Sequence, residues 1–274
     1  MKTLKNFLKI VDYHTLVVTI LALLATFICR QLGIIFDLPT NLIGIAIIFP
    51  LVFSISGAYR QREDALKNFA SIKGHAAALY YAHRDWLPED QNGEHAVRGA
   101  TLVRTLLKNI ATYFNYCIAT EEVQYLAKVY ESFDAFSQSH ETLRKAGLPA
   151  NEVSRANQYL RAMMIDFEKM RNVARYRTPV ALRAYSRLFI NVFPIFFAPY
   201  FASVAYTEYP FAGYVVAFLY SFVLVSLDNI QDHLENPYDG IGPDDLRIDV
   251  ADKYVSILQT TSEQQSTKVA QNDV

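Results

Sequence analysis

Four stretches of the chain contain no Asp, Glu, Lys or Arg, and they dominate what it can fold into. They lie between Asp12 and Arg30, Asp37 and Arg60, Arg187 and Glu208, and Glu208 and Asp228, and are 17, 22, 20 and 19 residues long. An α-helix rises about 1.5 Å per residue and the hydrocarbon core of a bilayer is roughly 30 Å thick, so each run spans a membrane or nearly so. As buried helices of a water-soluble protein, four such runs would need more polar chain to cover them than 274 residues leave over. Short connectors at 35–40 and 206–212 join the runs in pairs, which predicts two helical hairpins.

Basic residues orient the hairpins. Lys2, Lys5 and Lys9 precede the first run; Arg60, Arg62 and Lys67 follow the second; Arg171, Arg175, Arg177, Arg183 and Arg187 precede the third. The connectors carry no Lys or Arg, so the positive-inside rule places both termini and the long middle segment in the cytoplasm. A cleaved signal peptide is the competing reading of residues 1–29, but no small-residue cleavage site follows them. Tyr13, Tyr59, Tyr206, Tyr209 and Tyr214 sit near the ends of the runs, as an aromatic belt requires. Pro50, Pro194 and Pro199 fall inside runs and predict kinks. With no charged residue inside a run, an intramembrane proton relay has no carrier.

The remaining chain splits by charge. Residues 60–187 hold 19 Lys/Arg and 14 Asp/Glu and read as helices. Apolar stripes at helical spacing run through Leu102, Val103, Leu106, Leu107, Ile110 and Phe114; through Val123, Leu126, Tyr130 and Phe133; and through Val153, Ala156, Leu160, Met163, Met164, Phe167 and Met170. Loops are expected around Asn92-Gly93 and at Gly147–Asn151, with Gly147 stopping a helix and Asn151 capping the next. Residues 228–274 hold 10 Asp/Glu against 3 Lys/Arg, most of the acid in DNIQDHLENPYDGIGPDDLRID. That composition suits calcium, which takes several oxygen ligands, but the spacing is not that of an EF-hand, and a solvated acidic connector has the same composition. The expected division is 1–59 as the N-terminal segment and first hairpin, 60–187 as a cytoplasmic helical bundle, 188–231 as the second hairpin, 232–258 as the acidic loop and C-terminal segment, and 259–274 as a disordered polar tail.

Nothing points to an enzyme. The chain has no Gly-rich phosphate loop, no G-x-S-x-G and no H-E-x-x-H, and none of its six histidines pairs with another at i, i+3 or i, i+4. Cys29 and Cys117 are too few and too far apart for a disulfide framework or a zinc site. A net charge of −1 excludes a basic nucleic-acid binder.

Two stretches together resemble the bestrophin family of ion channels. GIAIIFPLVFSISGAYRQREDALKNFASI, from Gly44 to Ile72, is similar to the second span of bacterial bestrophins and the polar helix start after it, with Phe53, Ser56, Tyr59, Ala65 and Lys67 at matching positions. LDNIQDHLENPYDGIGPDDLRID resembles the family's span end and acidic loop, with Asn236-Pro237-Tyr238 in place of the usual Asn/Glu-Pro-Phe. MRNVARYRTPVALRAYSRLFINVFP is similar to the Thr-Pro segment entering the third span, so the resemblance covers most of residues 1–255.

The resemblance implies an all-α membrane protein, with four transmembrane helices in two hairpins and a cytoplasmic bundle. It further implies a homopentamer around one pore in the lipids of a bacterial inner membrane. The pore's neck would be three apolar residues of the second span, here Ile45, Phe49 and Phe53, whose i, i+4, i+8 spacing puts them on one helix face. A second constriction near the cytoplasmic exit maps onto Val153. Small monovalent ions would pass, anions such as chloride in animal members and cations in some bacterial ones; a non-conducting membrane-anchored helical scaffold is the competing class. The calcium clasp of animal members uses the acidic loop, here containing Asn236, Asp239, Asp244 and Asp245. Asn236, Asp244 and Asp245 match its polar ends, but Gly240 and Ile241 replace acidic ligands and the loop is one residue longer. The expectation is a loop that locks adjacent subunits, or one that binds calcium weakly at Asn236, Asp244 and Asp245.

Overall fold

The computed structural model describes residues 10–36, 40–87, 93–116, 122–176, 179–205, 209, 211–240, 242 and 244–260. Lys2, Lys5, Lys9, Asn92, Cys117, Arg177, Tyr206, Ile241 and residues 261–274 of the expected disordered tail lie outside them. The helices are α1 (Tyr13–Leu32), α2 (Thr40–Asp85), α3 (Glu94–Tyr116), α4 (Glu122–Lys145), α5 (Ala150–Arg175), α6 (Val180–Phe196), α7 (Ala198–Val204) and α8 (Ala212–Glu235), with a last helix, α9, at 251–260. There is no strand among the described residues. The chain forms two compact units: Met1–Glu63, Tyr176–Pro237 and Ile241–Asp245 make the first, and Asp64–Arg175, Tyr238–Gly240 and Leu246–Val274 the second. α2 contributes to both.

In the first unit, α1 packs on α6, α7 and α8, and α8 also packs on α6 and α7. Two of these helices, α1 and α8, are each long and apolar enough to cross a membrane, and α6 with α7 makes a third such stretch when taken together. The apolar run, from Thr40 on, forms the start of α2. The proline effects divide: α6 and α7 part at Phe197, with Pro199 in the first turn of α7, whereas Pro50 lies within a helix that continues through it. Asp12 caps α1 by accepting from the Thr15 N–H at 2.8 Å, and Gly33 (φ 68°) closes the helix, its N–H donating to the Arg30 carbonyl. That left-handed conformation favours glycine.

The interior of this unit combines an apolar cluster of Val18, Leu51, Ile190, Phe197, Phe201, Leu224 and Val225 with many small residues and hydroxyls. Ala22, Ala58, Ala202, Ala217, Thr15, Thr19, Thr26, Ser54 and Ser221 are buried. Thr19, Thr26 and Ser221 donate to carbonyls one turn back, so these hydroxyls are satisfied without water. Gly213 lets α8 approach α7 closely: a Cβ there would stand 2.1 Å from the Phe201 carbonyl oxygen. Many other large apolar side chains point outward, among them Leu16, Ile20, Leu24 and Phe27 of α1 and Val215, Leu219 and Val223 of α8.

The second unit has a larger apolar core. Val103, Leu106, Leu107, Ile110 and Tyr113 of α3, Val129, Phe133 and Phe136 of α4, and Met163, Phe167 and Met170 of α5 form one core with Phe69, Ile72 and Leu79 of α2. The stripe expected on α3 is in it, and so is that on α5 apart from Val153, which is partly exposed. On α4, Phe133 is in the core and Leu126 packs against it, but Val123 and Tyr130 are exposed and the buried face continues through Val129, Phe136, Ser139, His140 and Leu143. Polar residues on that face hid it from a hydrophobicity pattern. Gly147 (φ 101°) ends α4 as expected, but Asn151 lies inside α5 rather than capping it, because the helix already begins at Ala150 after Pro149.

A polar pair is sealed within this core. His83 Nδ1 donates to the Leu79 carbonyl at 2.7 Å, which makes its Nε2 the acceptor for the Ser139 hydroxyl at 2.7 Å. His140 Nδ1 donates to Asn157 Oδ1 at 2.8 Å. Burial pushes the His83 imidazole down to about 4, and the nearby His140, His95 and Arg98 push the same way. Burial also lowers His140, partly offset by Asn157. Both rings are therefore neutral at pH 7.

Candidate functional site

The start of α2 has two unlike faces. Leu51, Ser54 and Ala58 are 1%, 1% and 0% exposed and pack inward, Leu51 against an apolar cluster that includes Val18, Ile190, Phe201 and Leu224. The other face presents Ile45, Phe49 and Phe53, at 62%, 62% and 61% exposed within a single chain. One turn separates each from the next, and the Phe49 and Phe53 rings meet edge to face with centroids 4.8 Å apart. Exposed rings of this size are stable only against lipid, against another copy of the chain, or around a space that excludes water. Val153 is partly exposed in the first turns of α5, in the second unit.

One end of the first unit is polar and tightly tied. Arg183 of α6 pairs with the buried Glu235 of α8 at 3.1 Å, and Gln231 donates to the same carboxylate at 2.9 Å. Arg187 pairs with Asp232 one turn away. Asn229 of α8 donates to the Ile10 carbonyl at 2.8 Å and to Thr15 Oγ1 at 3.0 Å and Asp12 Oδ1 at 3.2 Å. Burial raises the Asp12 carboxyl, but the bonds from Thr15 and Asn229 outweigh it and hold the group below the usual carboxylate range. These contacts gather the start of α1, the start of α6 and the end of α8.

The acidic loop begins here, with Asn236 closing α8. Arg62 of α2 donates from Nε and Nη2 to the Asp244 carbonyl at 3.1 and 2.9 Å, and from Nη1 to Glu63. Asp245 turns back into its own loop and accepts the Gly242 N–H at 3.1 Å. Arg62, Asp244 and Asp245 line a pocket of about 140 Å³ with Ile10, Ile230, His233, Leu234 and Pro237. Asp239 is exposed, in the stretch assigned to the second unit.

Calcium is the ion this loop's resemblance implies, and the donor set fits it poorly. The Asp244 carbonyl already accepts two bonds from a guanidinium, whose positive charge repels a second cation at that oxygen. The Asp245 carboxylate is engaged within its loop. Among the described residues no group of three or more His, Cys, Asp or Glu side chains is placed to hold a metal ion. The sequence brought Asn236, Asp244 and Asp245 into view through the acidic run. It did not single out Arg62, Asn229 or Glu235, because their partners lie 182, 219 and 52 residues away along the chain. A lone Glu in the last turn of an apolar helix, facing an Arg-rich helix start, was the available signal for Glu235.

The same architecture occurs in solved structures. A crystal structure of a bacterial bestrophin homologue from Klebsiella pneumoniae carrying a point mutation is similar over 91% of this chain and 98% of its own, with a TM-score of 0.73 and 18% identity. A second point mutant of that homologue covers 93% and 97%, with a TM-score of 0.70 and 18% identity. A third structure of it covers 90% and 96%, with a TM-score of 0.71 and 18% identity. No family model matches the chain, and no curated protein matches it. The fold is bestrophin-like.

Proposed function

We propose that the chain is the subunit of a bestrophin-type ion channel in a bacterial inner membrane. Five copies surround one pore, and small monovalent ions, anions such as chloride, pass through it down their gradient. The observation that carries this reading is the exposed Ile45, Phe49 and Phe53 face of α2, on a helix whose opposite face is packed into the chain. Five copies of that face make three apolar rings, each about 6 Å further along the helix. An ion entering such rings loses hydration with no polar group to replace it, so the neck gates by dewetting. The rings carry no charge and leave ion sign to the vestibules, where the middle segment's excess of basic residues favours anions. Val153 is our candidate for a second constriction.

The tied polar end supports the orientation. Arg62, Arg183 and Arg187 all lie at the end where α1 and α6 begin and α8 finishes, which is the cytoplasmic side by the positive-inside rule.

Purified protein in planar bilayers tests the reading. The wild type conducts, and replacing Ile45, Phe49 and Phe53 together by Ala raises open probability. No current from a monodisperse oligomer overturns the channel in favour of a membrane-anchored scaffold. Current unchanged in the triple variant removes the neck assignment alone. Light scattering in detergent counts the copies, and the reversal potential in asymmetric salt decides between chloride and cations.

A further inference from the structure

We propose that Arg62 is a built-in cation that latches the loop after α8 to the back of the pore helix, so that the loop is held in place without calcium. The word pore rests on the reading above; the latch rests on geometry. Phe53 and Arg62 are nine residues apart in α2, and at about 100° per residue that puts them on opposite faces of the helix. The neck face looks out, and Arg62 continues the face that carries Leu51, Ser54 and Ala58 inward. Its guanidinium gives two converging bonds, from Nε and Nη2, to one carbonyl oxygen, that of Asp244, 182 residues further along the chain. A planar fork of this kind fixes direction as well as distance, which a lysine or a hydrated ion does not. The third bond, to Glu63, balances the charge within the cluster.

The loop is shaped to present that carbonyl. Asp245 accepts the Gly242 N–H, and a Cβ on Gly242 would fall 2.3 Å from Asp245 Oδ1, so a larger residue there displaces the Asp245 carboxylate. Pro237, Leu234 and Ile10 line the same pocket, while the Arg62–Asp244 bonds themselves are exposed. A divalent ion taking the Asp244 carbonyl must displace Arg62, whose two bonds that oxygen already accepts. The loop therefore acts on the neck from behind: when the latch opens, α2 loses a restraint on the face opposite Phe53. That changes how often the neck widens and leaves the ions it selects alone.

The test uses the full-length protein in detergent, with calcium chloride or EGTA as the only variable, and reads amide hydrogen exchange at residues 242 and 244–246. Wild-type exchange is the same within about twofold in both buffers, and Arg62→Gln speeds it by about tenfold or more, with Arg62→Lys between. In bilayers Arg62→Gln shifts open probability at unchanged unit conductance and reversal potential. Exchange in Arg62→Gln that matches the wild type overturns the latch, and so does slowing of wild-type exchange by calcium. If Arg62→Gln does not yield a monodisperse protein, Arg62→Lys and the wild-type calcium comparison decide. Silent bilayers with the exchange pattern intact remove the channel reading and leave the latch.

Discussion

The two units of this chain are both helical but are packed by different rules. In the first, alanines, Gly213 and back-bonded hydroxyls share the interior with a small apolar cluster around Leu51, and many Leu, Ile, Val and Phe side chains face out. In the second, Phe133, Phe136, Met163 and Phe167 face inward and the charges face out. The difference is the difference between two solvents. In water, burying a large apolar side chain is worth about 1.5–3 kcal/mol, so the large ones go inside. In lipid that gain vanishes, helices associate by close backbone approach and packing, and small residues take the interior. Gly213 against the Phe201 carbonyl is that rule at its limit.

The comparison can be broken most sharply at Gly213. Leu there drives its Cβ into α7, and the expected outcome is no monodisperse protein in size-exclusion chromatography, a loss of at least about 3 kcal/mol. A matched pair follows. Phe167→Ala in the second unit costs about 3–5 kcal/mol by cavity formation, whereas Leu24→Ala on the outward face of α1 costs less than about 1 kcal/mol. Thermal unfolding of both in one detergent checks this, and equal costs would break the two-solvent account.

Next in size is pH. The unfolded His83 binds a proton near 6.5 and the folded one only at about 4, so the unfolded chain holds the extra proton between those values. Its contribution to stability is full above pH 6.5, declines as pH falls and is gone below about 4, a total of about 3 kcal/mol at 1.36 kcal/mol per unit. His83→Gln flattens the dependence of the second unit's unfolding on pH in that window. The smallest effect belongs to the exposed Arg144–Glu141 pair, an i, i+3 contact in water. Arg144→Ala leaves the unfolding midpoint where it was.

How much of this was legible beforehand follows from the range of each signal. The apolar runs exposed the helices of the first unit because a membrane forbids charge over a contiguous stretch, and the stripes on α3 and α5 were visible because a helix repeats every 3.6 residues. The Ile45, Phe49 and Phe53 face was legible as a face from spacing, and as a neck only by resemblance. Where polar groups served the interior, as Ser139 and His140 do on α4, the same pattern failed. Contacts such as Arg62 with Asp244 leave no periodic trace, because each is one pair set by the whole fold.

Asn229 has a consequence in time. It donates to the carbonyl of Ile10, 219 residues earlier in the chain. A ribosome adds about 5–20 residues per second, so the first helix waits roughly ten to forty seconds before its partner has been made. Through that interval the start of α1 must find its hydrogen bonds in water or headgroups, and the polar tie that closes this end of the molecule is among the last to form.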